Sequence, residues 1–169
     1  MNTLAFDHFV KKIYIKSSIE KLYWCWASQE GLESWFLREA VFKRGEFPID
    51  YGEYVSPGDN YTWKWYNWDG QEEGQVVHAN GKDYVQFTFA DGFVDINLEQ
   101  KNELVIVSLK QHGIPTDEES KLKIHVGCSN GWTFWLTNLK AYLEHGILLN
   151  ETEVDLTEND MAGWIFVNM

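Results

Sequence analysis

Four tight-turn signals divide residues 60–112: Asp69-Gly70, Asn80-Gly81, Asp91-Gly92 and Lys101-Asn102. Between them apolar and polar residues alternate, as in strands with one buried face. The pattern predicts strands over 60–68, 71–79, 84–89, 93–100 and 104–112. Connections of two or three residues are too short for parallel crossovers, so successive strands must pair antiparallel. Asn80-Gly81 is the strongest of these signals, because both residue types tolerate the positive φ of a type I′ hairpin turn. Any fold proposed for the chain has to contain this meander.

The flanks add helices. Residues 5–15 alternate like a strand, and Ser17-Ser18 then offer an N-cap to a helix bearing Ile19, Leu22, Tyr23 and Trp26 on one face. After a break at Ser28-Gln29, a second short helix carries Leu32, Trp35 and Phe36, and residues 40–43 suit a short strand. Residues 121–128 read two ways: Leu122, Ile124 and Val126 alternate like a strand, yet the segment runs into a helix. That helix, from about Asn130 to His145, gathers Trp132, Trp135, Leu136, Leu139, Tyr142 and Leu143 in one arc, with Phe134 and Ala141 opposite. Gly146 is a good helix stop. The order predicts an α+β domain over residues 1–146, with a sheet of about seven strands packed on the last helix. An acidic tail over 147–169 ends in Trp164-Ile165-Phe166-Val167 and is expected to fold back on the domain or dock on a second copy as a homodimer.

Composition narrows the partners. The net charge is −12, and the longest basic runs are the pairs Lys11-Lys12 and Lys43-Arg44. Nothing here resembles the basic stripe that releases counterions from a nucleic acid, and an anionic membrane is disfavoured for the same reason. No stretch approaches the ~18 apolar residues of a membrane helix, and Met1 to Val10 lacks a signal-peptide pattern. A cytoplasmic protein is expected. Cys25 and Cys128 sit far apart in apolar stretches and read as buried reduced thiols, although sequence leaves a disulfide open. Aromatic residues make up 16% of the chain, including nine Trp, so the core or a site must use them.

Several segments carry a resemblance. The opening strand is followed by Ser18-Ile19-Glu20-Lys21-Leu22-Tyr23, then Leu32-Glu33-Ser34-Trp35-Phe36, Gly74-Gln75-Val76, and Leu109-Lys110-Gln111-His112-Gly113-Ile114-Pro115. Gly131-Trp132 then opens Leu136-Thr137-Asn138-Leu139-Lys140-Ala141-Tyr142-Leu143. Over about residues 5–146 the chain resembles the START-like (SRPBCC) superfamily, and within it proteins similar to the activator of heat-shock protein 90 ATPase. The resemblance implies a helix-grip fold, in which a curved antiparallel sheet wraps a long C-terminal helix. It also favours the helical reading of 121–128. It supplies no shared catalytic motif, and the superfamily includes ligand carriers, cyclases and co-chaperones, so fold alone does not choose among them.

The residues favour binding over catalysis. His8, His78, His112, His125 and His145 show no metal-ligand spacing, and no phosphate loop or nucleophile elbow occurs. The pairs Glu72-Glu73 and Glu118-Glu119 read as solvated loop charges. No catalytic residue, metal site or cofactor is expected. The aromatic set is the best lead. Tyr61, Trp63 and Trp65 share parity, Phe87 and Phe89 share theirs, and Trp35, Trp132, Trp135 and Leu139 are expected to face them from the helices. Gln111 shares parity with Val105, Val107 and Leu109, which would place an amide among apolar residues. These ten residues are the candidate lining of a cavity for a small hydrophobic ligand. A co-chaperone-like interaction module is the alternative, and a cyclase-like enzyme using Gln111 and His112 is a third reading.

Overall fold

The structure, a computed structural model, describes residues 5–159 and 165–168. The chain runs β1 (His8–Ile15), α1 (Ile19–Ala27), α2 (Gln29–Trp35), β2 (Glu39–Arg44), β3 (Phe47–Pro48) and β4 (Asn60–Lys64). It continues through β5 (Gln71–Ala79), β6 (Tyr84–Phe89), β7 (Gly92–Lys101) and β8 (Leu104–His112). A helical turn α3 (Glu118–Ser120), a π-helical segment (Lys121–Val126) and α4 (Gly127–His145) follow. The strands form one curved antiparallel sheet in the order β1-β8-β7-β6-β5-β4-β2-β3. This is the α+β helix-grip arrangement, with eight strands because the two-residue β3 extends the edge beside β2.

Local chemistry sets each boundary. Ser18 Oγ accepts the Lys21 backbone N–H at 3.1 Å and starts α1. Ser28 serves both short helices: its hydroxyl donates to Trp24 O at 2.8 Å and accepts from Gly31 N–H at 3.0 Å. At the end of α4, Gly146 adopts φ +69° and its N–H reaches Tyr142 O at 2.8 Å.

The predicted turns exist, but two differ in detail. Asn80 does not enter the left-handed region; only Gly81 does, at φ +72°. The Asn80 side-chain oxygen instead accepts from the N–H groups of Lys82, Asp83 and Tyr84, each at 3.0 Å, and organises a longer loop. The two-residue turn with positive φ at both positions is Ala90-Asp91, at +44° and +61°, closed by the Phe89–Gly92 pair. β4 stops at Lys64 rather than 68, because Asn67 turns the chain at φ +58°.

Residues 121–126 are helical, not a strand. β8 already lies between β1 and β7, and the segment forms the wide first turns leading into α4. Of its alternating apolar residues only Ile124 packs against the core; Leu122 and Val126 are exposed.

The concave face of the sheet carries the core. Ile15, Val105, Val107, Leu109, Ile96 and Val85 are buried there against Trp132, Trp135, Leu136 and Leu139 of α4. A register slip between Val76 and His78 lets both Val76 and Ala79 face inward, opposite Phe87 and Val85. Gly74 pairs with Tyr61, whose ring crosses it; a Cβ there would come within 2.6 Å of the Tyr61 ring and of Thr88 Oγ1. Phe134 is half-buried beside Phe36, with ring centroids 6.0 Å apart, because the C-terminal end of α2 reaches that flank of α4.

Candidate functional site

Between the sheet and α4 lies a continuous cluster of rings. Trp135 is its hub: its ring centroid is 4.7 Å from Trp132, 5.5 Å from Trp35, 6.0 Å from Trp63 and 6.2 Å from Trp65. Phe89 bridges to Trp132 at 5.0 Å and to Trp63 at 6.3 Å. Phe87 meets Trp63 at 5.1 Å, and Tyr61 stacks obliquely on Trp63 at 4.3 Å. Strand alternation brings Tyr61, Trp63, Phe87 and Phe89 to one face, and helical spacing brings Trp132, Trp135 and Leu139 to meet them. Trp65 lies just past the end of β4 and is only half-buried. Trp26, on the inner face of α1, joins the cluster, stacked on Trp135 at 6.0 Å and 5.1 Å from Trp35.

The polar tips of these rings divide into two groups. Trp35 Nε1 donates to Cys25 O at 3.1 Å, and Tyr61 Oη donates to Thr88 O at 2.6 Å, so both have structural partners. Burial pushes the Tyr61 hydroxyl far above its ordinary range. Trp132 Nε1 donates to Gln111 Oε1 at 2.8 Å. Because an indole N–H can only donate, this bond fixes the orientation of the Gln111 amide and leaves its Nε2 free. Gln111 is fully buried, and among the described residues its Nε2 has no partner; Trp26 Nε1 and Trp63 Nε1 are likewise buried and, among the described residues, unpartnered. Each such donor costs about 1–3 kcal/mol relative to a satisfied one. Three of them in one ring cluster call for a physical explanation.

Glu72 departs from the solvated-loop expectation. It lies on β5, directly opposite Trp63 across the β4–β5 pair, and therefore on the concave face. Burial raises its carboxyl above the usual glutamate range, although Oε1 accepts the Ala90 N–H at 3.0 Å. Its parity with Gly74 and Val76 was the sequence signal for this placement. Nearby, burial pushes the Cys128 thiol up to about 11, with Gln111 opposing the rise and Glu72 adding to it. Cys25 is deeper, its thiol raised to about 12 by burial; both cysteines are free.

His112 faces away from this cluster. It pairs with Phe93 on the outer face, where its ring stacks on Phe93 at 5.5 Å and its Nε2 lies 3.1 Å from Asp95 Oδ2 without hydrogen-bond alignment. Neighbours on a strand point to opposite faces, so Gln111 and His112 cannot act on one ligand. Among the described residues, no group of three His, Cys, Asp or Glu is arranged to hold a metal, and no helix is long and apolar enough to cross a membrane.

A family model described as activator of Hsp90 ATPase homolog 1-like protein matches residues 16–144. The chain belongs to this family. Solved structures share the fold at low identity. SSP2350 from Staphylococcus saprophyticus is 16% identical with a TM-score of 0.67, the match covering 86% of this chain and 97% of that one. MLL2253 from Mesorhizobium loti is 16% identical with a TM-score of 0.66, covering 83% and 99%. The Aha1 dimer from Colwellia psychrerythraea is 18% identical with a TM-score of 0.63, covering 82% and 97%. Among curated proteins, none matches the sequence.

The family match ends just before the tail, and the buried Asn138 and Asn150 together with the half-buried Asn67 connect the tail to the family domain. Asn138 Nδ2 donates to Trp35 O at 2.6 Å and to Asn150 Oδ1 at 3.1 Å, while its Oδ1 accepts Leu149 N–H at 2.6 Å. Asn67 donates to Glu151 O at 3.0 Å and accepts Leu156 N–H at 2.8 Å. By helical spacing Asn138 falls just outside the apolar arc of α4, between Tyr142 and Phe134, so periodicity carried no signal for its burial. Of the tail's closing aromatic motif, Trp164 lies outside the described residues, while Ile165, Phe166 and Val167 are exposed.

Proposed function

We propose that this START-like domain binds a small, ring-bearing hydrophobic ligand between the concave face of the sheet and α4. The observation that carries the reading is Gln111: a fully buried amide, oriented by Trp132, with its Nε2 unpartnered beside an aromatic wall. A ligand carrying a hydrogen-bond acceptor would satisfy that donor, and the rings of Trp63, Phe89, Trp132 and Trp135 would contact its apolar body. The other proposed lining residues, Tyr61, Trp65, Phe87 and Leu139, shape the wall, while Trp35 holds α2 through its bond to Cys25 O. Native mass spectrometry of the purified chain, with displacement of an apolar fluorescent dye, tests the reading. A stoichiometric adduct or saturable dye uptake supports it; neither, at any dye concentration, rejects it.

Family membership favours a second reading, a co-chaperone-like module acting on a heat-shock protein 90. Its test is stimulation of the host chaperone's ATPase by the full chain; unchanged turnover at saturating concentration rejects it. Self-association through the tail is a separate proposal, supported by the exposed Ile147, Leu148 and Leu149. Light scattering that reports a monomer at high concentration would dismiss it.

A further inference from the structure

Asn80-Gly81, the strongest turn signal in the sequence, lies outside the ring cluster and carries chemistry of its own. We propose that Asn80 is a self-modification site: it converts slowly to aspartate or isoaspartate, the fold restrains that conversion through Tyr23, and conversion releases the β5–β6 loop from α1. The reaction needs only these two loop residues and water, and asks nothing of a bound ligand. Once the Gly81 backbone nitrogen has given its proton to water, it attacks Asn80 Cγ. The new N–Cγ bond closes a succinimide ring, and the side-chain nitrogen leaves as ammonia. Water then opens the ring at one carbonyl or the other, giving aspartate, or isoaspartate with the chain continuing through Cγ. Asn80 and Gly81 are both exposed, and even a Cβ added at Gly81 would meet nothing within 4 Å, so the nitrogen is open to attack and to water.

The fold holds each atom the attack requires. Gly81 N–H donates to Tyr23 Oη at 2.8 Å. Asn80 Oδ1 is occupied by the N–H groups of Lys82, Asp83 and Tyr84, and Nδ2 donates to Asp83 Oδ1 at 2.7 Å. Tyr23 is buried on α1, its ring edge-on to Tyr54 with centroids 5.1 Å apart, so it stays behind when the loop moves. Attack therefore waits for local opening of the loop. After conversion the amide donor is gone and a carboxylate faces Asp83, so the loop cannot close as before. Isoaspartate also lengthens the backbone by one carbon and takes the acceptor away from the three amides. The chain carries its own control. Its second Asn-Gly pair, Asn130-Gly131, lies inside α4, where the helical ladder engages the Gly131 N–H.

The full chain, held for weeks in mildly alkaline buffer and then mapped by peptide mass spectrometry, reads both sites, with urea-unfolded chain as the reference. Asn80 is expected to convert in the native chain, more slowly than in urea, while Asn130 stays intact. Tyr23→Phe, checked for folding by circular dichroism, removes one hydrogen bond and is expected to speed conversion of Asn80 about fivefold without affecting Asn130. An Asn80 that converts in urea but stays intact in both the native chain and Tyr23→Phe overturns the site. Native conversion as fast as in urea, an unchanged rate in Tyr23→Phe, or equal acceleration at Asn80 and Asn130 overturns the restraint by Tyr23.

Discussion

Trp132 and Gln111 share one buried hydrogen bond, but removing them should have unequal consequences. Trp132→Phe takes away the only donor that Gln111 Oε1 has, leaving both ends of a fully buried amide unpaired. An unsatisfied buried group costs about 1–3 kcal/mol. The smaller ring adds a cavity term of about 1 kcal/mol. Together these predict a loss of about 2–4 kcal/mol. Gln111→Leu strands the indole N–H at a similar cost but also removes the unpartnered Nε2, which recovers about as much. Its net effect should lie within about 1 kcal/mol of zero. In the double variant neither member of the pair remains, so adding Trp132→Phe to Gln111→Leu should recover the roughly 1–3 kcal/mol of the stranded indole N–H against a cavity term of about 1 kcal/mol. Urea unfolding followed by circular dichroism measures all four corners, provided the m-value is constant across them. For a chain of this size, about 3 kcal/mol corresponds to a fall in Tm of roughly 6–12 °C. Additive single effects, or a Gln111→Leu loss as large as that of Trp132→Phe, would refute the reasoning. An amide that can be removed without loss of stability yet abolishes ligand binding is retained for binding.

Asn138→Ala should destabilise by about 3 kcal/mol in the same assay, because it leaves Trp35 O and Leu149 N–H without their partner; a loss under about 1 kcal/mol would mean the tail is not held through this residue. Asp59 is buried and takes a two-pronged bond from the half-exposed Arg44, at 2.9 Å for each N···O contact. Removing the arginine strands the buried charge, so Arg44→Ala should lower Tm more than Asp59→Asn, whose orphaned arginine can turn to water; the reverse order would contradict this. Burial raises the Glu72 carboxyl, so the folded chain keeps a proton that the unfolded chain releases. Its contribution to stability is fully present below the unfolded glutamate value of about 4.3 and is lost as pH rises through the higher folded value. Glu72→Gln should therefore match the native chain in acid and exceed its Tm near neutral pH; an advantage independent of pH would exclude titration as the cause.

The meander was legible because period-2 alternation and turn residues are local signals, and α4 because six large apolar residues share one arc. Where local signals misled, tertiary context decided. Leu122, Ile124 and Val126 alternate like a strand, but β8 already has a neighbour on each edge, and the segment is helical. Asn80-Gly81 has the composition of a tight turn, yet the Asn80 side chain caps a longer loop with three hydrogen bonds. The aromatic wall and Gln111 could be read from parity. Glu72 was missed because an adjacent acidic pair looks solvated until strand parity sends one member inward. The π-turn and the bond of Asn138 to Trp35 O depend on packing between elements, for which composition and periodicity carry no signal; helical spacing put Trp26 on the apolar face of α1 but not against Trp135.

The central claim is that Gln111 Nε2 and the unpartnered Trp63 indole meet a ligand inside the fold. Nitrogen-15 spectra observe these N–H groups directly. Titration with 1-naphthalenemethanol should shift the Gln111 side-chain amide together with the Trp63 indole, and leave the exposed Trp68 indole in place. Shifts confined to Trp68, or none at saturation, would contradict the account.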